Sequence, residues 1–185
     1  MLAASALLGS VSAATDQMKS WGKNIHWVSF REGQRIAREQ KKPAMVVIHK
    51  SWCRACKALR PRFANSSEIE AMSNDFIMIN VEDDDEPRGA EYKPDGAYIP
   101  RIIFLGPDGQ VMNHVFNNKG NSLYKYYYSD AFSNSDGKVL KDVINKGSMG
   151  YKYYYAETRP IVESMKQVLR LTGGGRNPTI KGREL

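Results

Sequence analysis

The sequence predicts a single α/β domain with a central mixed sheet flanked by helices. Three observations carry that expectation. A continuous apolar run at residues 44–48 and a second run at 76–81, apolar but for Asn80, bracket a helical stretch; this is how strands buried on both faces look when joined as a βαβ unit. A later apolar run at 102–105 is followed by Gly106-Pro107-Asp108-Gly109 and then by residues 110–116, which reads as an antiparallel hairpin. The length of 185 residues, with 42% hydrophobic and 25% charged, suits one folded domain with tails.

The elements follow in order. Ser29 is placed to cap a helix running to Lys42, with Phe30, Ile36 and Ala37 on its apolar stripe and Pro43 as its stop. The run Ala44-Met45-Val46-Val47-Ile48 is the first buried strand. Next, Ser51-Trp52-Cys53-Arg54-Ala55-Cys56-Lys57 opens a helix that reaches Phe63 and contains Pro61. Ser67 and Glu70 have capping-box spacing for another short helix. Residues 76–81 form the second buried strand, and the acidic stretch Glu82-Asp83-Asp84-Asp85-Glu86 follows. That stretch lacks the alternation and the glycine of a calcium loop, so it reads as a solvated turn. Tyr98-Ile99-Pro100-Arg101 leads into the strand at 102–105. The last helix spans 159–171, with Ile161, Val162, Met165, Val168 and Leu169 sharing a face, Pro160 in its first turn and Gly173-Gly174-Gly175 ending it.

One pentapeptide recurs. Tyr124-Lys125-Tyr126-Tyr127-Tyr128 reappears as Tyr151-Lys152-Tyr153-Tyr154-Tyr155. Nothing else returns at this period, which argues against a solenoid and for a local duplication. Only one copy can hold the position between hairpin and last helix, so residues 129–155 are expected to form a looped-out insert. A tyrosine surface that stacks nucleic-acid bases is the sharper alternative. It is set aside because such clusters usually pack against their own fold.

The chain ends suggest a compartment. Residues 1–14 carry no side-chain charge and offer small residues at 11–13 for a signal peptidase, so they read as a signal peptide. Gly182-Arg183-Glu184-Leu185 resembles an endoplasmic-reticulum retrieval signal, and residues 173–185 are expected to be a flexible tail. Together these place the protein in the endoplasmic-reticulum lumen, or secreted if the tail is not read. No apolar run is long enough for a membrane span. The net charge of +7 permits weak attraction to polyanions, but no nucleic-acid partner is expected.

Two cysteines exclude a disulfide scaffold and a four-thiolate zinc site. His26, His49 and His114 are scattered, so no metal is expected. Cys53 and Cys56, spaced i and i+3 at a helix start, are within disulfide distance, the first expected exposed and the second partly covered. The helix N-terminus favours a thiolate there. Lys50, Arg54 and Lys57 push the same way, which marks them as thiolate-tuning residues. Cys53 is then the attacking nucleophile and Cys56 the resolving thiol. An inert disulfide holding a turn remains the structural alternative.

The motif K-S-W-C-x-x-C-K at 50–57, Pro61 and the Ile99-Pro100 step resemble the thioredoxin fold over residues 25–172. Longer matches, V-I-H-K-S-W-C-x-A-C-K-A-L, E-D-x-x-E-P, Y-K-P-D-G-x-Y-I-P-R-I-x-F-L and Y-K-Y-x-Y, resemble the endoplasmic-reticulum family of thioredoxin domain-containing protein 12 and the anterior-gradient proteins. The resemblance implies a cis proline at Pro100 facing Cys53, with Trp52, Ile99 and Pro100 as the substrate-binding surface. It implies thiol–disulfide exchange on cysteine-containing secretory clients, with no cofactor beyond the Cys53–Cys56 disulfide and with glutathione as a candidate reductant. Two departures stand out. Val47 occupies the position of the buried acid of classical thioredoxins, and Arg54 replaces a small residue between the cysteines. The first departure keeps a second reading open: a redox-competent client-binding or quality-control factor with little turnover.

Overall fold

The computed structural model describes residues 18–117 and 151–173. The proposed signal peptide, the first tyrosine copy, residues 129–150 of the expected insert and the tail beyond Gly173 lie outside the described residues. The elements are β1 (Trp27–Val28), α1 (Phe30–Gln40), β2 (Ala44–His49), α2 (Arg54–Ala64), α3 (Ser67–Ser73), β3 (Ile77–Glu82), β4 (Arg101–Leu105) and α4 (Thr158–Thr172). Short 3₁₀ turns occupy Asp83–Asp85 and Ala90–Tyr92.

The sheet runs β1-β3-β2-β4. β3 is parallel to both β1 and β2, while β4 pairs antiparallel with β2, so the sheet is mixed as expected. β2 is buried along its whole length, and its side chains alternate between two cores. Met45 and Val47 join Leu59, Phe63, Ile161, Met165 and Val168 in a core under α2 and α4. Val46 and Ile48 face the other way, into a core with Ala37, Ile79, Ile103 and Tyr153. One sheet thus lies between α1 on one side and α2 and α4 on the other.

Local chemistry explains the helix ends. The Ser29 hydroxyl accepts the Glu32 N–H at 3.4 Å, and the C-cap Lys41 at φ 51° ends α1 at Gln40, two residues short of the expected end at Lys42. The α3 cap is Ser66, which accepts the Ile69 N–H at 3.3 Å. The N-cap therefore lies one residue before Ser67, because adjacent serines offer the same oxygen to the same orphan donors, and with Ile69 at the third position the expected capping box does not form. Gly33 sits where α1 meets β3. A Cβ there would overlap Ile79 and lie 3.1 Å from Val28 Cγ2. Gly33→Ala should therefore destabilise by about 1–3 kcal/mol through overpacking, outweighing the roughly 1 kcal/mol that alanine gains in an open helix. Denaturant unfolding reads the sign directly.

Two expectations need correcting. After the turn at Gly106–Gly109, where Gly109 adopts φ 80°, the partner strand expected at 110–116 shrinks to one bridge, Leu105 to Val111. The edge of β4 is instead met by the second tyrosine copy: the Ile102 N–H donates to the Tyr153 carbonyl at 2.9 Å. Residues 151–155, the end of the expected insert, are thus packed into the domain. Tyr153, Tyr154 and Tyr155 are buried, and Tyr155 shares a 2.9 Å hydrogen bond with Ser164 of α4. The Tyr153 N–H donates to the Tyr98 hydroxyl, and the Lys152 N–H to Asp95. Aromatic rings with polar partners at both ends hold this segment in place.

Candidate active site

β2 delivers the chain to the N-terminus of α2, where Cys53 is the N-cap. The Cys53 N–H donates to the Lys50 carbonyl at 3.1 Å, and Cys53 Sγ accepts the Cys56 N–H at 3.1 Å. A sulfur here does what a serine or aspartate oxygen does elsewhere: it satisfies an orphan donor. Cys53 and Cys56 are joined as a disulfide with Cα atoms 5.3 Å apart. Both are buried, with 5% and 2% exposure. The expected exposure of Cys53 is thus corrected for the oxidised state, in which its sulfur turns inward to bond Cys56 and joins the core under α2. Trp52, 72% exposed, is the large apolar side chain that stands out beside the pair.

The first turn of α2 carries no acid. Arg54 and Lys57 stand exposed on it. Cations at this end work against the helix dipole, a cost of about 0.3–1 kcal/mol each, and they raise the positive potential around the cap sulfur. Lys50 behaves differently. Its ammonium pairs with Glu86 at 3.0 Å and donates to the Asp83 carbonyl, so its charge is shared with a carboxylate.

The Ile99–Pro100 peptide bond is cis. Pro100 is buried, and Ile99 packs against the core that contains both cysteines. Cys53 and Cys56 therefore belong to one core against which Ile99 also packs, while Trp52, Arg54 and Lys57, next to the pair in sequence, are exposed. Val47 lies fully buried on the β2 face of that core. His49, two residues on along the same strand, is buried against Trp21 and bonds Asn80 at 2.8 Å. Burial lowers its pKa, against the opposing pull of Asn80, Glu82 and Asp83. Its setting is structural, as its place in the strand suggests.

The acidic stretch forms the expected turn, with Asp84 and Asp85 exposed, but two of its acids have specific partners that the sequence does not announce. Asp83 Oδ1 accepts the Ser51 N–H at 2.9 Å, which holds its carboxyl below the usual range. Glu86 reaches a fully buried guanidinium, Arg101 Nη2, at 2.6 Å. A charge cannot be buried without such a partner. The available signal was an arginine opening the apolar strand Arg101-Ile102-Ile103-Phe104-Leu105, with an acid required somewhere nearby. Among the described residues no cluster of three or more metal-ligating side chains occurs, and no helix is long and apolar enough to cross a membrane.

A disulfide between residues i and i+3 at the start of a helix that follows a central strand, together with a cis proline directly before the antiparallel strand β4, defines a thioredoxin-like domain. A family model of that description, thioredoxin-like, matches residues 26–107. Anterior gradient protein 3 of Mus musculus is 40% identical over 114 residues, covering 60% of this chain and 68% of the relative. Anterior gradient protein 2-B of Xenopus laevis is 32% identical over 121 residues, covering 65% and 73%. The chain belongs to the anterior-gradient family. A solved DsbH oxidoreductase is similar over 50% of this chain and 72% of its own, at 18% identity and a TM-score of 0.41.

Proposed function

We propose that this protein is a thiol–disulfide oxidoreductase that acts on the disulfides of secretory-pathway proteins through Cys53 and Cys56. The observation that carries this reading is the Cys53–Cys56 disulfide at the N-cap of α2, packed in one core with Ile99. In the reducing direction the Cys53 thiolate attacks a client disulfide. A Cys53–client disulfide forms, and the other client sulfur leaves as a thiolate that takes a proton. The Cys56 thiolate then attacks Cys53 Sγ, and the second client sulfur leaves. The client gains two electrons and the protein pair loses two. Oxidation of a client dithiol is the same path reversed, and glutathione is the proposed small thiol that resets the pair.

The N-cap geometry supports Cys53 as the attacking group, because a thiolate there keeps the Cys56 N–H as a charge-assisted donor. Lumenal residence in the endoplasmic reticulum is part of the proposal. It rests on the family and on the two chain ends.

A second reading has one observation in its favour. Val47 puts an isopropyl group, fully buried, on the core face where a proton-accepting side chain would assist Cys56. That favours a client-holding factor in which mixed disulfides form and turnover is slow. The test is Cys56→Ala mixed with an oxidised model protein. A mixed disulfide on Cys53 that accumulates, and is absent from Cys53→Ala/Cys56→Ala, supports exchange through the pair; no adduct overturns it. Wild-type turnover in the same buffer separates catalyst from holder.

A further inference from the structure

The loop carrying Ile99 and Pro100 and the turn carrying Ser51, Trp52 and Cys53 are far apart in sequence. One carboxylate joins them. Glu86 Oε1 accepts from Arg101 Nη2 at 2.6 Å, and Glu86 Oε2 pairs with Lys50 Nζ at 3.0 Å. On the far side, Arg101 Nε donates to the Tyr92 carbonyl at 2.9 Å and Nη1 to the Tyr98 carbonyl at 2.6 Å. The guanidinium thus grips the backbone on the N-terminal side of Pro100, while Arg101 itself follows Pro100 directly. On the near side, Lys50 precedes the cysteine turn and its carbonyl accepts the Cys53 N–H.

Asp83 reinforces the same link. It is held at φ 49°, an uncommon conformation for a residue with a side chain, while its carbonyl receives Lys50 and its carboxylate receives the Ser51 N–H. Lys93 adds a third cation to Glu86 at 3.7 Å. Each of the three nitrogens of the buried guanidinium has a partner, which favours one geometry because moving it would leave a charge or a carbonyl unpaired.

We infer that Glu86 is a positioning residue: it ties the Ile99–Pro100 loop, through Arg101, to the cysteine turn, through Lys50. The spacing it sets is the gap in which a client strand alongside Ile99 would present its sulfur to Cys53. This deepens the oxidoreductase reading and rests on it for its purpose.

The test is hydrogen–deuterium exchange on the full oxidised chain. Glu86→Gln should speed exchange at least about threefold both at 50–53 and at 98–102, while α4, which makes none of these polar contacts, stays unchanged. In a Lys50→Met background the same substitution should add nothing at 50–53. An effect confined to 98–102, or undiminished in that background, overturns the proposal. If Glu86→Gln does not fold, Lys50→Met decides alone: faster exchange at 98–102 supports the link, and a change restricted to 50–53 sinks it. In peptide-disulfide reduction, Glu86→Gln should raise KM about fivefold with little change in kcat, since ground-state docking is what it loosens. A wild type that turns over no disulfide removes the functional reading, and the exchange data still decide the link.

Discussion

Cys53→Ala is expected to reduce dithiol-dependent reduction of a protein disulfide by about a hundredfold or more, to the uncatalysed rate, since the attacking sulfur is gone. The chain has only two cysteines, so the one thiol left in this variant is Cys56, which is 2% exposed and poorly placed to attack a client. Cys56→Ala should behave differently. Its first attack is intact, and one client equivalent is consumed before the protein stalls. Following insulin precipitation for turnover and gel-resolved adducts for the first step separates the two variants. Equal activity of wild type and Cys53→Ala would remove the oxidoreductase reading.

Arg101→Met should cost about 3 kcal/mol of stability, near the lower end of what breaking a buried ion pair costs. The guanidinium is fully buried, with partners on Tyr92, Tyr98 and Glu86. Methionine fills much of the volume and none of the polar roles, leaving two carbonyls without that donor. The cost stays near the lower end because Glu86 keeps Lys50 and Lys93. A lowered guanidinium midpoint at unchanged slope is the expected signature; a loss below about 1 kcal/mol would mean the pair is dispensable. The pH dependence has a definite sign. Burial alone would raise the Glu86 pKa, but Arg101 and Lys50 outweigh it, so the folded value lies below the ordinary 4.5. The carboxylate's contribution is therefore complete above that value and fades as pH falls through the folded pKa. The gap between wild type and Arg101→Met should narrow in acid.

Much of this was legible in the sequence, for identifiable reasons. β2 and β3 announce themselves because strands covered on both faces need long, nearly unbroken apolar runs, and α4 because its apolar residues recur at helical spacing. The cysteine pair was legible because its chemistry requires that spacing at that place. The hairpin partner was not: turn residues at 106–109 specify a reversal, but how far pairing continues depends on what else reaches the edge of β4. That competitor is Tyr153, brought from a distant stretch of chain. The partners of the acidic stretch were hidden for a similar reason. Glu86 reads as a surface charge until Arg101 is known to be buried beside it, and burial is a property of the assembled fold. Val47 is a case where sequence and structure agree: an apolar residue where relatives of the wider fold carry an acid, and an apolar core around it.

The disulfide closes a loop with a sequence separation of only 3. In the chain-entropy account so small a ring restricts the unfolded state by only about 2 kcal/mol, well short of a long-range crosslink. The two cores and the Arg101–Glu86 pair therefore bear the fold whether the bond is made or broken. Opening and closing it is a local event, like a latch on a wall that stands without it, so on the oxidoreductase reading the same scaffold would serve in either electron count.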